Sequence, residues 1–222
     1  MLNTTSFIRH FTSFVLQCTL LVCPIVAFAQ VGPGGVTTSN MMWVKADQGV
    51  TTSGANVSLW TDQSSSGNNA TQGTNANRPD LVPVVENYRP ALYFNGNDDH
   101  LLVNDLIAAS STSVTVFAVG THETGGDDWH SMVVGQAQGS WAGGGYGITA
   151  FTGSNSPFGF WVRDYGTNQV GSNWIDQPMA VLEGEYGGGS LEFYRNNMLI
   201  GTDAFSGAVG DNGTTTIGGG PG

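Results

Sequence analysis

The sequence predicts an all-β protein built as two antiparallel sheets packed face to face. Three observations carry that expectation. Glycine supplies 33 of 222 residues, about twice the usual ~7%, which penalises long helices and favours turns. No long segment has an apolar period of 3.6 residues. Short runs of β-branched and aromatic residues instead recur between Gly, Asn, Ser and Asp clusters, the pattern of a sandwich or barrel. Without helices to cover a parallel sheet, two antiparallel layers bury the apolar faces.

Residues 1–29 read as a secretory signal. Arg9 and His10 form a weakly basic start, Phe14 to Phe28 is mostly apolar, and Ala27-Phe28-Ala29 fits the small-x-small cleavage pattern. Gln17 and Pro24 interrupt a run already short for a membrane span of about 20 residues. Leu20-Leu21-Val22-Cys23 approaches a lipid-attachment box, but Val22 is bulky where a small residue is wanted and Pro24 follows the cysteine. Cleavage before Gln30 leaves 193 residues, ample for one sandwich and short for two domains. Both cysteines, Cys18 and Cys23, lie in the leader, so the exported chain relies on its core rather than on disulfides.

Residues 30–40, with Gly32-Pro33-Gly34-Gly35, read as a flexible lead-in to a domain over 41–222. The first expected strand is Met42 to Ala46, and Val57 to Thr61 follows. Trp60 to Thr71 then turns through small polar residues, either as a structural clasp or as a cation loop. Pro79, Pro83 and Pro90 confine the next region to loop or edge. Ala91 to Phe94 and Leu101 to Val103 flank an Asn- and Asp-rich loop. Ser113 to Thr121 alternates Val114, Val116 and Ala118 with Phe117 and Val119, apolar on both faces, which predicts a central strand. Further strands are expected at His130 to Val134, Tyr146 to Phe151, Phe158 to Val162, Met179 to Tyr186 and Leu191 to Arg195. Asn196-Asn197 makes a tight hairpin into Met198 to Gly201, and Thr214 to Ile217 is the last strand.

All 17 acidic residues follow Ala29, against Lys45, Arg78, Arg89, Arg163 and Arg195. That acidity disfavours nucleic acid, whose binders need a basic stripe. It fits solubility outside the cell first and carboxylates gathered for Ca²⁺ second.

Several segments together resemble the LamG-like jelly-roll domains of the concanavalin A-like lectin/glucanase superfamily, as carried by large secreted or surface-attached bacterial proteins. They are Met42 to Asp47, Val57 to Thr71, Arg89 to Asp99, Ser113 to Val119 and Leu191 to Gly201, in the family's order. The chain departs from the pattern at Asn197, where the hairpin usually has Gly, and in the expanded Ser64-Ser65-Ser66-Gly67 turn. The family pattern continues past the last glycine-rich turn, so the resemblance implies that residues 41–222 lack a final strand. It implies a jelly-roll sandwich, attached to further domains, that recognises polysaccharide or glycoprotein glycans at the cell surface or in the medium.

Catalysis has little support. Hydrolases of that superfamily carry Glu-x-Asp-x-x-Glu on one strand, and the nearest match is Glu183-Gly184-Glu185, two side chains on one strand face. The expected function is therefore a non-catalytic recognition or adhesion module, with glycoside hydrolase and structural spacer as alternatives. Trp129, Trp141, Trp161 and Trp174 are the candidate ligand-binding residues, because an indole stacks on a pyranose while Asp or Asn binds its hydroxyls. Asp62, Asp98 and Asp99 are the candidate Ca²⁺ ligands, being oxygen donors on polar loops. Glu123, Asp127 and Asp128 form a further acidic cluster.

Overall fold

The computed structural model describes residues 32–36, 38–122, 131–135, 144–150, 157–173, 178–210 and 213–219, all within one compact unit that begins at Gly32. Among them the only helical turns are two short 3₁₀ segments, at Pro33–Gly35 and Asn75–Asn77. The rest is strand and connection, arranged in two antiparallel sheets.

The large sheet begins with β1 (Val50–Ser53), β2 (Asn56–Trp60), β3 (Ala70–Thr71), β4 (Asp80–Glu86), β5 (Arg89–Tyr93) and β6 (Leu101–Val103). β7 (Val114–Gly120) opens the small sheet. The chain then returns to the large sheet with β8 (Ser131–Gly135), β9 (Tyr146–Ala150), β10 (Pro157–Val162) and β11 (Gln169–Asn173). β12 (Ala180–Gly187), β13 (Ser190–Arg195) and β14 (Met198–Ala204) complete the small sheet, and β15 (Thr215–Ile217) ends the described strands. The large sheet runs β11-β10-β9-β8-β15-β6-β3-β2-β4-β5, with β1 also on β2; the small sheet runs β14-β13-β12-β7.

The main core lies between the sheets. Ile148, Phe158, Phe160 and Val162 from the large sheet meet Leu182, Tyr186, Leu191 and Phe193 from the small one. Gly184 lets the layers approach: a β-carbon there would overlap the buried ring of Phe160. A second core, Val57, Ala70, Leu101, Val103 and Leu106, supports the other half of the large sheet, and Ile107 packs against both. β15 joins the halves by pairing with β6 on one side and β8 on the other. The last described strand therefore sits inside the sheet rather than at an edge.

Three expectations change. Met42 to Ala46 is not a ladder strand; only Lys45 bridges, to Gln48. Its backbone is instead held by the 60–63 segment: Trp43 N donates to Asp62 Oδ1 at 2.8 Å, Gln63 N to Trp43 O at 2.6 Å, and Trp60 Nε1 to Lys45 O at 2.8 Å. β1 and β11 are additional strands, short or rich in Gly, Ser, Thr and Asn, and so silent to apolar patterning. Among the described residues β7 is an edge strand of the small sheet, not a central one. Its outward Phe117 and Val119 are 60% and 67% exposed, so its second apolar face covers no core.

Other expectations hold. Asn196 and Asn197 take φ of 49° and 63°, the left-handed pair that a tight hairpin requires. The proline-marked region forms the β4–β5 hairpin at one edge of the large sheet, its register broken between Val82 and Glu86.

Candidate functional site

The outward face of the small sheet collects the most chemistry. Alternation along β12 buries Leu182, Gly184 and Tyr186 and turns Val181, Glu183 and Glu185 outward. Register then sets cross-strand rows. Glu183 lies opposite Phe117 on β7 and Tyr194 on β13, and Tyr194 lies opposite Leu199 on β14. In the next row Glu185 lies opposite Thr115 and Glu192, and Glu192 opposite Thr202. Val119 and Val181 pair at one end. The result is a triad of glutamates flanked by two aromatic rings, with no lysine or arginine in these rows.

Electrostatics couple these groups. Burial, a hydrogen-bond contact with Glu185 and the negative charge of Glu185 all push the Glu183 carboxyl above its usual range. The Tyr194 hydroxyl donates to Glu192 Oε2. That bond, then partial burial, then the surrounding carboxylates raise the phenol to about 12. An open cleft of about 260 Å³ continues the face toward one end, lined by Thr115, Glu185, Tyr186, Gly187, Ser190 and Glu192. Chemically, the face offers acceptors for hydroxyl donors and flat apolar surface beside them. It is broad and open, which suits an extended ligand lying across it rather than an enclosed small molecule.

The residues singled out by sequence fall elsewhere. Trp161 points to the opposite side of the large sheet from Phe158, Phe160 and Val162, as alternation requires, but it is 0% exposed. It packs with Val134 and meets Tyr165 edge-on, ring centres 5.8 Å apart. Its indole is a packing element and offers no open face for stacking. Trp129, Trp141 and Trp174 lie outside the described residues, as do Glu123, Asp127 and Asp128.

Asp62 is buried at 7% exposure and fully engaged by the chain. Oδ1 accepts from Trp43 N at 2.8 Å and Ser64 N at 2.9 Å; Oδ2 accepts from Ser64 Oγ at 2.7 Å and Asn68 N at 2.8 Å. Burial alone would raise its pKa, but these hydrogen bonds together hold it below the usual carboxylate value. A carboxylate has about four acceptor positions, and the chain's own donors take all four here, so Asp62 serves as a clasp of the turn.

Asp98 and Asp99 close an Asx-type turn on Asn95. Its Oδ1 accepts from the backbone N–H of Asn97, Asp98 and Asp99. Asn95 Nδ2 donates to Asp98 Oδ1 at 2.8 Å, and Asn95 N to Asp99 Oδ2 at 3.0 Å. Burial, partly opposed by that last bond, raises the Asp99 carboxyl, and the charges of Asp98 and Asp80 add to it. Among the described residues no group of three or more acidic, His or Cys side chains is placed to hold a metal ion.

Sequence reasoning missed Phe117, Tyr194, Glu185 and Glu192 as one surface. Period-2 alternation put Glu183 and Glu185 on one face, but the register that brings Glu192 and Tyr194 beside them is a long-range property. No protein-family model, curated protein or solved structure matches the chain.

Proposed function

We propose that this chain is a non-catalytic carbohydrate-recognition or adhesion module of a larger secreted or cell-surface protein, with a jelly-roll sandwich of the concanavalin A-like, LamG-like kind. The observation that carries the reading is the outward face of the small sheet: Phe117 and Tyr194 flank Glu183, Glu185 and Glu192 on an open surface. Aromatic rings supply stacking area and carboxylates accept hydroxyl donors, the two kinds of contact a polysaccharide needs. The acidity of the face favours neutral or amino sugars over sulfated or uronic ones. Export is supported by the leader-like residues 1–29, and among the described residues no helix is long and apolar enough to cross a membrane.

The alternative of glycoside hydrolysis draws on the raised Glu183 carboxyl beside a second carboxylate. Against it, the chain lacks the Glu-x-Asp-x-x-Glu strand pattern carried by hydrolases of the fold it resembles.

Affinity electrophoresis against β-glucan, xylan, mannan and chitosan tests the proposal. Retardation by at least one polymer is expected, weakened about tenfold by Phe117→Ala or Tyr194→Ala, the worth of one stacking contact. Tyr88→Ala serves as the control, Tyr88 being 91% exposed in the turn between β4 and β5. Absence of retardation by any polymer would favour the spacer reading. Reducing-sugar release that disappears in Glu183→Gln would establish the hydrolase instead.

A further inference from the structure

Among the described residues, the unpaired edge of β7 differs from those of β1, β5 and β14. β1 is bulged between Thr51 and Thr52, and the β4–β5 hairpin is broken between Val82 and Glu86, with Arg89 and Pro90 on β5. β14 pairs across a register shift at Phe193/Tyr194 and carries Asp203, whose Oδ2 also accepts from Gln169 N of β11 at 3.2 Å. Bulges, prolines and charges are the devices that stop one sheet edge from pairing with another. β7 has none of them. Val114–Gly120 reads VTVFAVG and pairs with β12 over seven consecutive residues without a shift. Among the described residues it has a hydrogen-bonded neighbour on one side only.

We propose that β7 pairs antiparallel with β7 of a second copy of this chain, joining two four-stranded sheets into one of eight strands. The seven residues overlap in full only with Phe117 on the two-fold axis, opposite its own copy. That register sets Thr115 opposite Val119 on the outward side, and on the inward side Val116 opposite Ala118 and Val114 opposite Gly120. Each inward large side chain meets a small one, and the outward row joins two aromatic rings. Such an isologous contact closes on itself as a dimer.

Charge permits the pairing despite a net of −11 per chain. β7 contributes no charge, and the nearest outward glutamates, Glu183 and Glu185, lie one strand in on β12. Three strand spacings separate them from their counterparts, about 14 Å, beyond the ~8 Å Debye length at physiological ionic strength. The pairing is therefore apolar and backbone-driven, and raising salt from well below physiological strength favours it by screening the two acidic bodies. A basic extended peptide drawn to Glu183 and Glu185 would behave oppositely, weakening as salt rises.

The test is sedimentation and cross-linking of the full chain carrying Cys18→Ser and Cys23→Ser. The contact is one strand pair, small beside a standard interface, so the dimer should form only at raised protein concentration. The mass should double as concentration rises, and at lower concentration when salt is raised. Phe117→Cys should form a disulfide dimer on mild oxidation, since directly opposed residues lie about 4.5–5.5 Å apart. Thr115→Cys alone should not, being offset by four residues, roughly 13 Å, but should cross-link to Val119→Cys when the two are mixed. Phe117→Lys, on an exposed position, should keep its melting temperature and remain a monomer. A monomer at every concentration, or equal cross-linking at positions 115 and 117, overturns the proposal.

Discussion

Asp62 accepts four hydrogen bonds that tie residues 43, 64 and 68 to the end of β2. Each buried donor left without its acceptor costs about 1–3 kcal/mol. Asp62→Ala should therefore lower stability by about 3 kcal/mol in urea unfolding, after water rescues part of the loss. Because the folded-state pKa is depressed, this contribution is present above the unfolded carboxylate pKa of ~3.9. It should fade as pH falls below that value toward the lower folded one, and a wild-type minus Asp62→Asn difference that stayed constant to pH 2 would contradict the clasp. Glu183 has the opposite sign. Its pKa is raised in the folded protein, so its ionised form costs stability above that value and nothing once both states are protonated. Glu183→Gln should melt higher than wild type at pH 7 and equal to it well below the ordinary glutamate range.

At the scale of elements, Gly184 and Trp161 fix how the layers pack. Gly184→Ala forces a methyl into the ring of Phe160, which has nowhere to move, and should cost about 1–3 kcal/mol as overpacking. Trp161→Ala should cost about 3–5 kcal/mol as a core truncation, far more than Phe117→Ala on the exposed side of β7; chemical denaturation of both variants compares them. Much of this level was legible in the sequence. Alternation placed β7, β10, β12 and β13, the Asn196-Asn197 pair marked its hairpin, and the prolines marked the β4–β5 edge. Alternation also put Trp161 on the face opposite Phe158 and Phe160. It could not say what covers that face, because burial depends on segments distant in the chain. The same limit explains β7: a strand apolar on both faces reads as central, yet one of its faces meets no second layer. Met42 to Ala46 alternates like a strand but is held by the side chains of Trp60 and Asp62, a bonding pattern that hydrophobic periodicity does not encode.

Across the whole molecule, the two sheets divide their work. The large sheet carries the second core and shares the main one with the small sheet, whose other face turns an aromatic and acidic surface to solvent. The glutamates were visible in sequence as a pair on one strand; the site they belong to arises only when β12 and β13 are set in register. Nothing in the chain's composition distinguishes such a face from an ordinary solvated one, so its role rests on direct mapping. The most direct measurement is an amide NMR titration with oligosaccharide from whichever polymer retards the protein. Shifts concentrated at residues 115–119, 181–185 and 190–194 are the predicted result. Shifts concentrated on the large sheet, with these three segments unmoved, would contradict the assignment of recognition to the small sheet.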